Sequence, residues 1–252
     1  MKTKLLTGFF VTATALGGVL AGISPAHAFT WNNSWSQSPI LSKSQTGFDD
    51  APFQAFVQPE RMEKVDVGQL LLDPTKLKLK FDHEVKVHFI NEGAGFRNQL
   101  AYEATGTTTR TGLVFNDASD DVLKYGDGVS LGNVKAGTLL DFWLRADGRN
   151  GGRNIFGTQT AANEDGLQHV FAAAYNNYLV LGFEDLYGGL GAWGGKNQGS
   201  DRDFNDTVVV VDIGEDNIRA MSVPEPSITL GLMSLGAAGL MRLRRRQNSV
   251  VS

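Results

Sequence analysis

Acidic and amide side chains gather at both ends of a glycine-rich stretch in the C-terminal half of the sequence. One end carries an adjacent Glu-Asp pair, and the other carries a denser acidic group followed by a run of valines. Carboxylate and amide oxygens are the ligands of Ca²⁺, which takes roughly six to eight of them. Without a cation, carboxylates held this close would repel one another. The pattern predicts a calcium site whose expected ligands are Glu184, Asp185, Asp201, Asp203, Asn205 and Asp206.

Part of this pattern fits the calcium-binding loop of an EF-hand, but the fit is incomplete. Asp201, Asp203 and Asn205 would take the first, third and fifth positions of such a loop. The sixth position, which needs glycine, is Asp206, and the valines that follow indicate a strand instead of a helix. The sequence therefore favours a site built on loops between β-strands. The alternative is that these residues only cap turns through their side chains.

Two other turns carry possible oxygen ligands. Residues 89–98 place Asn91, Glu92 and Asn98 in a tight glycine turn after an expected strand, and we treat these three as weaker metal candidates. Residues 163–168 place acidic and amide groups before another expected strand. A plain turn is the alternative in both places.

The hydrophobic pattern of the central region predicts an all-β fold. Apolar residues alternate with polar ones over 77–81 and 85–89, which is typical of a strand pair with one solvent-facing side. Glycine, asparagine and aspartate clusters separate further strands expected at 98–105, 112–115, 129–131, 138–146, 168–174, 178–183 and 207–213. Many short strands with long glycine-rich loops indicate an antiparallel β-sandwich, jelly-roll-like or Greek-key in topology.

The N-terminus predicts export. Two lysines precede an apolar run, and Ala26-His27-Ala28 gives the small-x-small pattern of a secretory signal peptide. We expect residues 1–28 to be removed by signal peptidase after Ala28. Residues 29–60 are rich in polar residues and scattered aromatics, and we expect them to form a loosely ordered N-terminal arm ahead of a β-sandwich domain at 61–221.

A second sorting device is expected at the C-terminus. Val223, Pro224, Glu225 and Pro226 precede an apolar stretch, 227–241, and four arginines. The stretch is shorter than the roughly 20 residues of a spanning helix, but flanking arginines can lengthen it and place that end in the cytoplasm. Residues 222–247 resemble a PEP-CTERM sorting signal. The resemblance implies an exosortase-type partner and a transient membrane anchor, followed by release to the cell surface or extracellular matrix. An ordinary anchor would leave the Pro-Glu-Pro unexplained.

The charge balance argues against nucleic-acid binding. The chain has 23 basic and 27 acidic residues. The predicted signal peptide holds two of the basic residues, and the C-terminal segment holds four more with one acidic residue, so 17 basic and 26 acidic residues give the middle a net charge of −9. An acidic exported domain suits cations better than nucleic acid.

The chain has no cysteine, so a hydrophobic core, together with any bound metal, must stabilise it.

Several motifs together resemble one family. These are Asn-Glu-Gly-Ala-Gly-Phe-Arg-Asn at 91–98, Leu-Gly at 131–132 with Ala-Gly-Thr at 136–138, Asp-Gly at 165–166 with His169, Phe-Glu-Asp at 183–185, and Asp-Arg-Asp-Phe-Asn-Asp at 201–206. Residues 80–213 thereby resemble the domain-of-unknown-function family DUF4114. The resemblance implies a β-rich extracellular module of undetermined activity.

Catalytic patterns are weak, and we expect no enzyme. After the signal peptide only His83, His88 and His169 remain, and the first two face opposite sides of an extended strand, where we expect solvated side chains. A glycosidase using two of the carboxylates is the least favoured alternative. We expect a surface or matrix calcium-binding module that contacts an exopolysaccharide or other glycan. Trp193 is a candidate for stacking on sugar rings, and packing onto its own sheet is the alternative. The alternative is a purely structural, calcium-stiffened surface protein.

Overall fold

A computed structural model describes residues 29–56 and 70–222 of the protein, and these residues are mostly β-structure. Short 3₁₀ turns at Ala51–Phe56, Pro74–Lys76, Gly148–Asn150 and Thr160–Ala162 interrupt the strands. The helices and strands are α1 (Lys43–Thr46), β1 (Leu70–Leu71), β2 (His83–Asn91), β3 (Gln99–Thr105), β4 (Arg110–Phe115), β5 (Gly128–Val134), β6 (Leu139–Arg145), β7 (Ile155–Gly157), β8 (Val170–Tyr175), β9 (Tyr178–Phe183), β10 (Trp193–Gly194), β11 (Asn197–Gln198), β12 (Thr207–Asp212) and α2 (Glu215–Ser222).

The strands form two main antiparallel sheets that pack face to face. The six-stranded sheet has the order β1-β8-β9-β12-β2-β5, and the four-stranded sheet has the order β4-β3-β6-β7. Strands β10 and β11 form a separate small hairpin. The principal core lies between the two sheets and draws apolar side chains from both. The predicted antiparallel β-sandwich is therefore confirmed.

Strand β12 shows why a continuous valine run suits the middle of this sandwich. Val209 and Val211 point into the core between the sheets, whereas the alternate valines of the strand join a second apolar cluster on the outer face. Phe48 and Phe53 of the N-terminal arm belong to that second cluster and are buried. Because the arm covers the outer face, both faces of β12 exclude water.

The prediction of a strand pair from 77–81 and 85–89 is wrong in its pairing. Residues 85–89 lie in β2, but 77–81 bonds instead to the beginning of β6, where Leu79 donates its amide to the Thr138 carbonyl at 2.9 Å. Leu77 and Leu79 are buried as the alternation requires, whereas Phe81 is 52% exposed. The local pattern identified burial here, but the partner was set by the long-range packing of the sheets.

Helix α2 is fixed to the sandwich through Asn217. Its buried side-chain amide accepts from the backbone amides of Lys80 and Phe81, and donates to the carbonyls of Phe81 and Ile213. These bonds use both the donor and acceptor capacity of the amide. The last described turn of the chain is thus attached to the domain.

The predicted targeting segments lie outside the described residues. They comprise the signal peptide with its cleavage site at Ala28, the motif Val223, Pro224, Glu225 and Pro226, and the apolar helix expected at 227–241. Within the described ranges, no helix combines the length and apolar character needed to cross a bilayer.

Candidate metal centre

The acidic residues meet because two neighbouring strands bring them to one end of the six-stranded sheet. Glu184 and Asp185 follow the end of β9, and Asp206 directly precedes β12. These strands are antiparallel neighbours, and the register pairs Thr207 with Phe183. The amide of Asp206 donates to the Phe183 carbonyl at 3.1 Å. Asp185 and Asp206, which are 21 residues apart in sequence, thereby become neighbours in space.

The long insertion between the two acidic halves folds back on itself. Strands β10 and β11 pair within it, and the Gly191 amide donates to the Ser200 carbonyl at 2.7 Å. The Gln198 amide donates to the Tyr187 carbonyl at 3.0 Å, close to where the insertion leaves the sheet. The insertion therefore returns the chain to the end of β9 instead of separating the acidic residues.

The segment 201–205 has an unusual backbone. Arg202 and Phe204 both adopt left-handed conformations, with φ of 58° and 57°. Such angles cost a residue other than glycine about 1–2 kcal/mol. The side chain of Asp203 accepts from the Asn205 amide at 3.1 Å, which stabilises the tight turn. The loop is thus a tight turn and not an extended chain.

Two glycines let other segments approach this loop closely. A Cβ atom on Gly182, in β9, would lie 2.3 Å from the Phe204 carbonyl oxygen. A Cβ atom on Gly93, in the turn after β2, would lie 2.8 Å from Oδ1 of Asn205. Sequence reasoning missed both residues as site components. The signal was available for Gly182, because glycine inside a strand often marks a close backbone approach.

The carboxylates form two groups that share one residue. Oxygens of Glu184, Asp201 and Asp203 lie within 4.8 Å of one another, and so do oxygens of Glu184, Asp185 and Asp206. Ca²⁺–oxygen distances are about 2.3–2.6 Å, so oxygens on opposite sides of one ion lie roughly 4.8 Å apart. Both groups are therefore compact enough to hold a metal ion.

Glu184 lies at the centre of this arrangement and is fully buried, with 0% exposure. Its Oε1 accepts from the Leu186 amide at 3.2 Å, whereas its Oε2 has no hydrogen-bond partner among the described residues. Burial raises the pKa of Glu184 to about 7, and the nearby Asp201 and Asp185 carboxylates raise it further. A buried polar atom without a partner is costly, so this oxygen is a strong candidate for a ligand atom.

Burial and neighbouring carboxylates also raise the pKa values of Asp185 and Asp206. Burial raises the pKa of Asp185 to about 6, against the effect of a 2.6 Å hydrogen bond from the Asn98 side chain. Burial and the repulsion from Asp185 and Glu184 hold the pKa of Asp206 well above its usual range. Oδ2 of Asp206 accepts a hydrogen bond from the Asp185 amide at 2.7 Å, so the Asp206 side chain also stabilises the backbone at the end of β9.

The weaker candidates occupy different places. Asn98 is fully buried and donates to Asp185 from the segment just before β3. Its Oδ1 accepts a hydrogen bond from the Asp147 amide at 3.0 Å, which fixes the orientation of the side chain. Glu92 is in neither carboxylate group; it lines a separate cleft of about 270 Å³ that Asn91 also borders. Burial raises the pKa of Glu92 to about 7.

The histidines differ from the solvated pair that we expected. His88 is only 2% exposed and stacks on Phe48 with ring centroids 4.0 Å apart, because the N-terminal arm covers its side of β2. His83 is partly exposed, and its Nε2 lies 2.9 Å from Oδ1 of Asp212. The expectation of a solvated side chain is thus wrong for His88. His169 is fully buried and contacts the backbone of Glu184, a role that its position in the sequence does not reveal.

Comparison with family models places this site within a known domain. Residues 134–214 match the family described as Domain of unknown function (DUF4114). This part of the chain is similar to the DUF4114 family. The match contains both carboxylate groups and His169, but it begins after the 91–98 motif and the Leu-Gly pair at 131–132. The matched residues therefore include the ends of β9 and β12, whereas Asn98 and Gly93 approach from outside them.

A second match covers the C-terminus. Residues 222–246 match the PEP-CTERM protein-sorting motif, which includes the predicted Val223, Pro224, Glu225 and Pro226. The motif implies export, transient anchoring in the membrane and processing by an exosortase-type enzyme. No curated protein and no solved structure matches the chain.

Proposed function

We propose that this protein is an exported, non-catalytic calcium-binding module of the cell surface or extracellular matrix. The observation that carries the proposal is the buried Glu184, whose Oε2 has no hydrogen-bond partner among the described residues and lies near further carboxylates. A bound cation would satisfy that oxygen and offset the burial and the repulsion that together raise the pKa of Glu184.

The donor set favours calcium over other common metals. All the predicted ligands offer oxygen, and the sequence contains no cysteine. Zinc prefers nitrogen and sulfur donors, and both ring nitrogens of the nearby His169 already face protein oxygens. Magnesium usually keeps several of its waters, whereas a crowded, buried set of carboxylates suits the larger and less demanding Ca²⁺.

The glycan-binding role is supported by the hairpin of the insertion. Trp193 is 77% exposed, and its indole covers Gly199, where a Cβ atom would lie 2.1 Å from the ring. The hairpin leads directly into Ser200 and Asp201, so a cation on Asp201 would also hold the base of the hairpin in place. An exposed aromatic ring on a metal-ordered loop suits stacking against a sugar of an exopolysaccharide. The alternative is a structural role, in which calcium stiffens the end of the sandwich.

The glycosidase alternative fits the arrangement poorly. Retaining glycosidases place their two carboxyl groups about 5–5.5 Å apart across an open cleft, and inverting enzymes place them further apart. Here Glu184 and Asp203 are at most 1% exposed, which leaves no room for a sugar between them. Close, buried carboxylates are better suited to a cation than to acid–base catalysis.

Calcium titration of the purified full chain in detergent tests the proposal. We expect heat of binding in isothermal titration calorimetry, and a higher melting temperature with calcium than with chelator. At 100 times the dissociation constant, the gain in stability should be about 2.7 kcal/mol. Asp203→Asn should reduce this gain, whereas Asp216→Asn on the exposed side of α2 should keep it. Coincident melting curves with calcium and with chelator would refute the proposal.

A glycan array with the same purified protein distinguishes the glycan-binding role from the structural role. On a glycan array, reproducible binding that depends on calcium and is lost in Trp193→Ala supports the glycan-binding role. Uniform silence of a calcium-loaded, folded protein supports the structural role.

A further inference from the structure

The carboxylates do not form a single ring around one point. Asp201 and Asp203 group with Glu184 on one side, and Asp185 and Asp206 group with Glu184 on the other. The first pair belongs to the loop after the hairpin, and the second pair belongs to the ends of β9 and β12. The five residues do not all lie within 4.8 Å of one another, so their oxygens form two overlapping groups instead of one compact set.

The charge in this region is more than one divalent ion can neutralise. Five carboxylates contribute to the two groups. In the described part of the chain, no ion pair to a lysine, arginine or histidine includes Glu184, Asp185, Asp201 or Asp206. One divalent cation would compensate about half of the charge of these four carboxylates, and two would compensate all of it.

The shared residue has the geometry of a bridge. Glu184 is fully buried, and its Oε2 has no protein partner within the described ranges. Its Oε1 accepts a 3.2 Å bond from the Leu186 amide, which leaves lone-pair capacity on this oxygen as well. Both oxygens of the shared carboxylate therefore have the capacity to bind a cation.

We propose that the site holds two divalent cations, with the carboxylate of Glu184 bridging them. This inference rests on the proposed calcium-binding function and adds its stoichiometry and its central ligand. Asp201 and Asp203 bind the first cation, and Asp185 and Asp206 bind the second. Ions bridged in this way lie about 3.5–4 Å apart in two-metal sites of proteins. The first cation holds the hairpin loop, and the second joins the ends of the two central strands.

The number of ions per chain tests the inference. Native mass spectrometry and equilibrium dialysis of the full chain with calcium alone should give two ions per chain. Asp201→Asn and Asp206→Asn should each leave one ion, and Glu184→Gln should weaken both sites by at least 100-fold. Asp206→Asn keeps an oxygen for the Asp185 amide, and melting curves in chelator establish that each variant folds. Asp216→Asn serves as the matched surface control and should keep two ions.

The outcomes separate the two proposals. One ion per parent chain overturns the bridged pair but leaves calcium binding intact. No ion overturns both. If Asp201→Asn or Asp206→Asn loses both ions or neither, the assignment of the carboxylates to two cations is wrong.

Discussion

Nδ1 of His169 lies 2.9 Å from the carbonyl oxygen of Glu184, while Nε2 of the same ring lies 2.9 Å from Oδ2 of Asp165. A carbonyl oxygen only accepts, so Nδ1 must carry a proton. The ring also stacks on Phe156 with centroids 3.8 Å apart. His169 therefore holds the backbone of Glu184 in place, while its other ring nitrogen contacts Asp165, which belongs to neither carboxylate group.

Replacing His169 tests this positioning role. His169→Phe keeps a ring against Phe156 but removes both hydrogen bonds, which leaves the Glu184 carbonyl without its side-chain donor. We expect a loss of about 1–3 kcal/mol in the free energy of unfolding, and a calcium affinity reduced by tenfold or more. Denaturant unfolding and calorimetric titration measure the two quantities. His83→Phe, on a partly exposed histidine that contacts Asp212, should leave the calcium affinity unchanged. Equal affinities for His169→Phe and the parent would exclude the positioning role.

Gly182 tests the close contact between β9 and the acidic loop. In Gly182→Ala the new methyl group would lie 2.3 Å from the Phe204 carbonyl oxygen, so the loop must move. We expect a destabilisation of about 1–3 kcal/mol together with weaker calcium binding, because Asp203 belongs to the displaced loop. Gly95→Ala is the matched control, since a Cβ atom there meets nothing within 4 Å. A Gly182→Ala variant that binds calcium as the parent does would show that the loop tolerates the shift.

The metal-free protein should become less stable as the pH rises from about 4.5 to about 7. The folded state raises the pKa of Glu184 from 4.5 to about 7, mainly through burial, so it keeps a proton that the unfolded chain has already released. Because the folded state then binds more protons, the free energy of unfolding falls with increasing pH. Asp185, whose pKa burial raises to about 6, adds to the same trend.

Urea unfolding in chelator across this pH range measures the effect. We expect a change on the order of 1–3 kcal/mol, reduced in Glu184→Gln. Saturating calcium should abolish the fall, because the cation replaces the protons. Stability that is independent of pH in chelator would contradict the buried, protonated state of Glu184.

Processing at the C-terminus depends on the sorting motif at 222–246. Replacing Pro224 and Pro226 together by alanine should leave the arginine-rich tail on the surface form in a host that has an exosortase. Mass spectrometry of C-terminal peptides detects the retained tail. Asn248→Ala lies beyond the matched residues and should be processed as the parent is. Tail removal from the proline variant would mean that another feature directs processing.

The sequence predicted those parts of the fold and site that depend on local chemistry. The period-two pattern located most strands, and the acidic pairs around Glu184 and Asp203 pointed to the region where the structure places two compact carboxylate groups. The missing parts depend on contacts between distant segments. The burial of His88 requires Phe48, which lies 40 residues earlier and carries no local signal of that contact. The left-handed Phe204 fits only because Gly182 lies beside it.

The position of β12 has a consequence for the order in which the domain can assemble. This strand is the last of the described strands in sequence, yet it lies between β9 and β2 in the middle of the six-stranded sheet. A chain that ends before Asp201 would leave the edges of β9 and β2 unpaired, and it would also lack Asp201, Asp203 and Asp206 beside Glu184. Synthesis must therefore pass Asp212 before the sheet can close, and a shorter product would expose two unpaired strand edges that favour aggregation.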